Sequence, residues 1–116
     1  MKIAYIAHPI SGDVEGNIKK IIVIVRLINL TEENVVPFVP YLADLYALND
    51  NDPKERARGI KNDITLFING AIDELRLYGS TISEGMTNEI NLARSLNIPI
   101  VPMTIETKLE LKEMLL

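Results

Sequence analysis

The sequence predicts an α/β fold, a small doubly wound parallel sheet of four to five strands with helices on both faces. Short β-favouring segments alternate with longer segments of helical period, in the order β-α-β-loop-α-β-α-β-α. Proline and glycine fall between those segments, where a chain changes direction. Right-handed crossovers between parallel strands then wind the chain into a flavodoxin-like or Rossmann-like domain. At 116 residues, the whole of 1–116 is read as one domain.

Lys2 to Ala7 is apolar and β-favouring, the first strand, and His8-Pro9-Ile10-Ser11-Gly12-Asp13 is a loop. Val14 to Leu30 has the length of a helix, although Ile21 to Val25 is a β-branched run. As a helix it is apolar on most sides, through Ile18, Ile21, Ile22, Val25, Leu27 and Ile28. Such a helix calls for cover on more than one face, and a subunit interface is the simplest source. Thr31 to Asn34 is a turn, and Val35 to Pro40 is a short strand with prolines that suit an edge or a strand end. Tyr41 to Asn51 has no clean period and reads as a loop with one helical turn, a length usually reserved for lids and binding loops.

Asp52-Pro53 is an N-cap followed by proline at the first helical position. That helix runs to about Asn69, with Ala57, Ile60, Ile64 and Phe67 on its core face, and Gly70 ends it. Glu74 to Tyr78 alternates, with Leu75 and Leu77 on one side and Glu74, Arg76 and Tyr78 on the other. Gly79-Ser80-Thr81 breaks the strand, and Ser83 to Asn97 is helical with Met86, Ile90 and Ala93 on one face. Ile98 to Met103 is a fourth parallel strand, and Glu106 to Leu115 a closing helix.

Composition narrows the function. The balance of 47% hydrophobic and 24% charged residues is ordinary for a globular chain. The longest apolar run, Ile21 to Val25, is five residues, far short of a membrane span. The start of the chain passes directly into a strand without a leader pattern, so a cytoplasmic protein is expected. The absence of cysteine removes disulfides, thiol nucleophiles and thiolate metal sites. A net charge of -4 argues against a nucleic-acid polymer as partner. The basic cluster Lys54, Arg56, Arg58 and Lys61 is diluted by Asp52, Glu55 and Asp63 and reads as a solvated helix face. A small anion remains a candidate ligand, because one phosphate needs only a local nest of donors.

Strand, Gly/Ser loop and helix start, from Ile72 to Ala93, is the arrangement that points backbone N–H groups at an anionic ligand. Glu89 stands about one turn into that helix, near the carboxyl edge where open α/β sheets bind ligands. With the first loop and the middle helix, the candidate constellation is Tyr5, His8 to Gly12, Asp63, Ser83, Gly85, Met86 and Glu89. Each has a plainer role available: Glu89 as a first-turn acid favoured by the helix dipole, Ser83 as an N-cap, Tyr5 as core, Asp63 as a surface charge. Asn17 and Arg58 are further possible contacts.

The pattern Tyr5-Ile-Ala-His-Pro-Ile-Ser-Gly12, then Asp63, then Ser83-x-Gly-Met-x-x-Glu-Ile-x-x-Ala93 resembles the nucleoside 2-deoxyribosyltransferase-like superfamily. It is most similar to the short phage- and prophage-type members, related to the N-glycosidases of 2'-deoxynucleoside 5'-monophosphates. The resemblance spans nearly the whole chain in element order and rests on about a dozen residues, Ser-x-Gly-Met-x-x-Glu being the most specific. It implies that Glu89 is a nucleophile toward the anomeric carbon of deoxyribose. It further implies that Asp63, 26 residues earlier, is an acid or orienting group and that Tyr5 is a positioner. Ser83, six residues before Glu89, stands where the monophosphate glycosidases have serine and the transferases on free nucleosides have aspartate. Ser11 and Gly12 fall in the loop that contacts sugar or phosphate, and Ser83 and the N–H groups near Gly85 join them at the 5' end. Met86 completes the motif.

The chemistry agrees with those roles. N-glycosidic cleavage passes through an oxocarbenium-like state that a carboxylate stabilises or captures, while a second acid assists the departing base. No cofactor and no metal are expected. The expected partners are a nucleoside or nucleotide and further copies of the chain, a homodimer or larger, with the site near the subunit interface. The alternative is a nucleotide-binding or nucleotide-sequestering module using the same pocket without turnover. His8-Pro9 in place of the family's small residue, the absence of arginine from that loop, and Glu84 beside Ser83 motivate that alternative.

Overall fold

The computed structural model describes residues 1–116. Its strands are β1 (Lys2–Ala7), β2 (Val35–Phe38), β3 (Glu74–Leu77) and β4 (Ile100–Pro102). Its helices are α1 (Val14–Thr31), α2 (Tyr41–Ala47), α3 (Pro53–Ile68), α4 (Glu84–Ser95) and α5 (Ile105–Met114). All strand pairs are parallel, in the order β2-β1-β3-β4, so the fold is the predicted doubly wound α/β sheet with four strands. The chain leaves β1 toward β2 through α1 and leaves β3 toward β4 through α4. The direction of winding therefore reverses between β1 and β3, which opens a crevice at their carboxyl ends.

Residue alternation along β1 divides the core. Tyr5 and Ala7 point into the larger cluster, with Phe67 of α3, Met86, Ile90 and Ala93 of α4, and Leu111 of α5. Ala4 and Ile6 point the other way, against Ile28 of α1 and Val35 of β2. One face of the sheet thus carries α3, α4 and α5, and the other carries α1. The single helix on that side buries Ile18, Ile21 and Ile28 and leaves Ile22, Val23, Leu27 and Leu30 exposed.

Two elements depart from the sequence reading. Tyr41–Asn51 was expected to be mostly loop, yet Tyr41–Ala47 forms a helix. Its N-cap is Pro40, which supplies no side-chain cap, so the local start signal is missing. A tertiary bond holds it instead: the Tyr41 hydroxyl donates to the Ile6 carbonyl at 2.7 Å. In β3, Glu74 and Arg76 are buried despite their polar alternation. Arg76 donates to Glu74 at 2.6 Å and, through both terminal nitrogens, to the Glu32 carboxylate at 2.9 Å. That fork ties β3 to the end of α1 and satisfies the charges taken out of water.

Strand ends were expected to run further at both β2 and β4. The register with β1 ends at Phe38, and β4 pairs only at Ile100, Val101 and Pro102. No helix is long and apolar enough to cross a membrane. The basic residues Lys54, Arg56, Arg58 and Lys61 form an exposed face of α3, as read from the sequence.

Candidate functional site

Tyr5 lies on the central strand with its ring enclosed by Phe38, Tyr41 and Phe67, at centroid distances of 6.5, 5.8 and 5.0 Å. That aromatic cage fixes the ring and aims the hydroxyl at two acids. The Tyr5 hydroxyl lies 2.8 and 2.7 Å from the two carboxylate oxygens of Asp63, on α3. It also contacts Oε2 of Glu89, on α4. Residues separated by 58 and 84 positions thus converge on one oxygen.

Hydrogen counting shows what this requires. A phenol has one proton to donate and can accept another. That single proton can go to Asp63 or to Glu89 but not to both, so satisfying both contacts needs a proton on one of the two carboxyls. The pKa directions agree. Burial, then the Asp63 charge, push Glu89 up to about 8, against the lowering effect of the Tyr5 hydrogen bond. Asp63 is also raised, by burial first, with hydrogen bonds from Tyr5 and Glu89 opposing. Burial and the two carboxylates raise Tyr5 well above the ordinary phenol range. At neutral pH, then, Glu89 holds its proton, beside a phenol that stays neutral and an Asp63 whose own proton affinity is also raised.

Of the residues nominated from the sequence, the structure brings Tyr5, Asp63 and Glu89 together. Ser83 is the N-cap of α4, its Oγ accepting from Met86 N at 3.3 Å, and it makes no hydrogen bond to the carboxylates. Gly85 faces open space. Met86, nominated as a ligand contact, is 1% exposed and packs in the larger core cluster.

His8, Ser11 and Gly12 gather elsewhere, around the crevice between β1 and β3. With Pro9, Asn17, Lys20 and the turn Gly79–Thr81 they line a recess of about 350 Å³. Gly79 has φ +90°, and an added Cβ would stand 2.7 Å from Pro9 Cδ, so only glycine fits where the two loops meet. Side chains beyond the loop hold that turn from below. Thr104 Oγ1 donates to the Gly79 carbonyl at 2.8 Å, and Glu110 of α5 accepts from Ile82 N at 2.6 Å.

Tyr41 and Lys20 escaped the sequence reading. Tyr41 packs on Tyr5, and its own hydroxyl is raised well above the ordinary range by burial and then by Glu89 and Asp63. Lys20 gave no signal beyond membership of a charged pair on an amphipathic helix. No group of three or more His, Asp and Glu side chains is arranged to hold a metal ion.

Among curated proteins, no match to the chain is found. A family model described as a domain of unknown function, DUF7768, matches residues 2–103. The matched stretch runs from β1 through β4 and contains Tyr5, Asp63 and Glu89 as well as the recess between the first and third strands. With most of its length accounted for by that model, this chain belongs to the DUF7768 family.

Proposed function

We propose that the protein cleaves or transfers the N-glycosidic bond of 2'-deoxynucleosides or their 5'-monophosphates, with Glu89 as nucleophile. The observation that carries this reading is the carboxyl pair bridged by the Tyr5 hydroxyl. The two carboxyls meet at one hydroxyl and also lie within hydrogen-bonding reach of each other, so they act as one coupled acid–base unit. The sequence resemblance to the nucleoside 2-deoxyribosyltransferase-like superfamily assigns the same three residues.

In the working form, Glu89 gives up its proton and Tyr5 steadies the resulting carboxylate. A Glu89 oxygen attacks C1' as the C1'–N bond breaks, and the electron pair leaves with the base. Asp63 orients the phenol and, when it holds the pair's proton, is the acid available to the departing nitrogen. Water, or a second base, then attacks C1' and releases Glu89. No metal is needed for any of these steps.

Incubation with deoxynucleosides and deoxynucleotides, followed by chromatography, should show free base. Glu89→Gln should abolish release while circular dichroism shows an unchanged fold. Full activity in that variant removes Glu89 from the chemistry. A second reading, nucleotide binding without turnover, is favoured by the protonated state of Glu89 at neutral pH. Calorimetric binding with no base released supports it. The exposed apolar residues of α1 support assembly into a homodimer or larger oligomer, which light scattering tests directly.

A further inference from the structure

The carboxyl pair faces inward. Tyr5 is fully buried, its ring walled by Phe38, Tyr41 and Phe67, and Asp63 and Glu89 are half-buried around its hydroxyl. Glu89 turns Oε2 toward that buried oxygen. The recess lined by His8 and Lys20 includes neither acid. A sugar ring laid against both acids needs more space than this, so part of the surrounding wall has to move.

The three helices around the pair are held very differently. α3 contributes Phe67 to the core, and α4 contributes Met86, Ile90 and Ala93. α2 buries no residue and starts without a side-chain cap. Of its side chains, Tyr41 is the one that packs against the larger core cluster. Two polar contacts add to that hold. The Tyr41 hydroxyl donates to the Ile6 carbonyl at 2.7 Å, and the Asp44 carboxylate accepts from Asn62 of α3 at 3.3 Å. Asn62 adjoins Asp63 in the chain, so α2 is fastened right beside the acids. At its far end Leu48 rests over Gly59 of α3, and the turn Asn49–Asn51 that follows is exposed. A segment with few buried apolar contacts and an exposed flank opens before the rest of a fold does.

We propose that α2 is a gate over the carboxyl pair, which opens when Tyr41 releases the Ile6 carbonyl and Asp44 releases Asn62, and closes again on the bound substrate. The inference rests on the glycosidic reading above and specifies how its substrate reaches Glu89. Closure also returns the Tyr41 ring to 5.8 Å from Tyr5 and so rebuilds the cage that aims the phenol. Tyr41 is thus a positioning residue, and access to the acids is tied to their alignment. Charge proximity agrees: burial and then Glu89 and Asp63 raise Tyr41, and the Asp44 charge adds to burial in raising Asp63.

An engineered disulfide tests the gate, because the chain has no cysteine of its own to compete. A Cβ built on Gly59 stands 4.0 Å from the Asp44 Cβ, within the roughly 3.5–4.5 Å that a disulfide spans. The double variant Asp44→Cys, Gly59→Cys is compared with itself, oxidised and reduced. Carbodiimide coupling of glycine ethyl ester, mapped by peptide mass spectrometry, reads access to Glu89 without any substrate. Chromatography of deoxynucleotide incubations reads base release. The oxidised form should label Glu89 about tenfold more slowly than the reduced form and release no base, and added reductant should restore both. Tyr41→Phe, which needs no cross-link, should speed amide exchange across Tyr41–Leu48 about fivefold, the effect of one net hydrogen bond, and leave α3 and α4 as in wild type. Equal labelling of the oxidised and reduced forms, base release undiminished by the cross-link, or exchange in Tyr41–Leu48 as slow as in the core of α4 overturns the proposal. Absence of base release from the reduced form and from wild type refutes the Glu89 chemistry alone, and labelling and exchange still decide the gate.

Discussion

Replacing Glu89 with glutamine removes a titration from the core while keeping the size and shape of the side chain. In the folded protein Glu89 is pushed up to about 8, against an ordinary value of 4.5. A group whose pKa is raised by folding contributes stability that is complete below the unfolded value and is lost as pH rises through the folded value. Between 4.5 and about 8 the ceiling on that loss is ~5 kcal/mol, at ~1.36 kcal/mol per pH unit. Sharing of charge with Asp63 and Tyr5 lowers the effect, and roughly 2–3 kcal/mol is the expected loss by mildly alkaline pH. Glutamine is neutral throughout, and its amide can donate where the protonated carboxyl did. Thermal unfolding should therefore show Glu89→Gln more stable than wild type, with a gap that widens from about pH 5 to about pH 8.5 and reaches about 10 °C in Tm. Circular dichroism melts across that range measure it. Parallel pH profiles for the two proteins, or a wild type that gains stability relative to the variant as pH rises, would refute the protonated-pair account.

Other perturbations test neighbouring parts of the structure. Base release under kcat/KM conditions should climb with pH toward about 8, because the nucleophile must be anionic in the free enzyme; a rate that falls steadily over that range contradicts the role of Glu89. Tyr5→Phe keeps the ring packing but removes the donor from two acids, so it should cost about 1–3 kcal/mol by urea unfolding. Since the Tyr5 hydrogen bond lowers the Glu89 pKa, the same variant should displace the pH–rate profile to higher pH. Gly79→Ala should destabilise the protein by about 1–3 kcal/mol, because φ is +90° and the new methyl meets Pro9. A neutral result there means the two loops do not meet as described.

Much of the fold could be read from the sequence: β3 and α4 from repeats of two and of about 3.6, β1 and α1 from apolar composition and length, and α3 from its Asp52-Pro53 start. Of the expected core face of α3, however, only Phe67 is buried, while Ala57, Ile60 and Ile64 are exposed. α2 lacked such signals: Pro40 offers no side-chain cap, and the bond that anchors Tyr41 comes from Ile6, 35 residues away. Glu74 and Arg76 look like a solvent face because alternation reports which residues share a side, not what covers it. Glu32 and Lys2 complete their ion pairs from distant positions. The carboxyl pair follows the same logic. Glu89 could be nominated from its place on a loop–helix unit, and Tyr5 and Asp63 from the first strand and middle helix that the topology brings toward it. Their convergence on one hydroxyl is a tertiary fact. Ser83 and Met86 belong to the same motif, yet capping and packing already account for both side chains.

The most direct measurement is intact-protein mass spectrometry after brief exposure to a 2'-deoxynucleotide and an acid quench. A glutamate that captures C1' predicts a fraction of the protein bearing the added sugar, mapped by peptide analysis to Glu89 and missing from Glu89→Gln. Base released with the adduct on another residue, or an equal adduct in the glutamine variant, would contradict it.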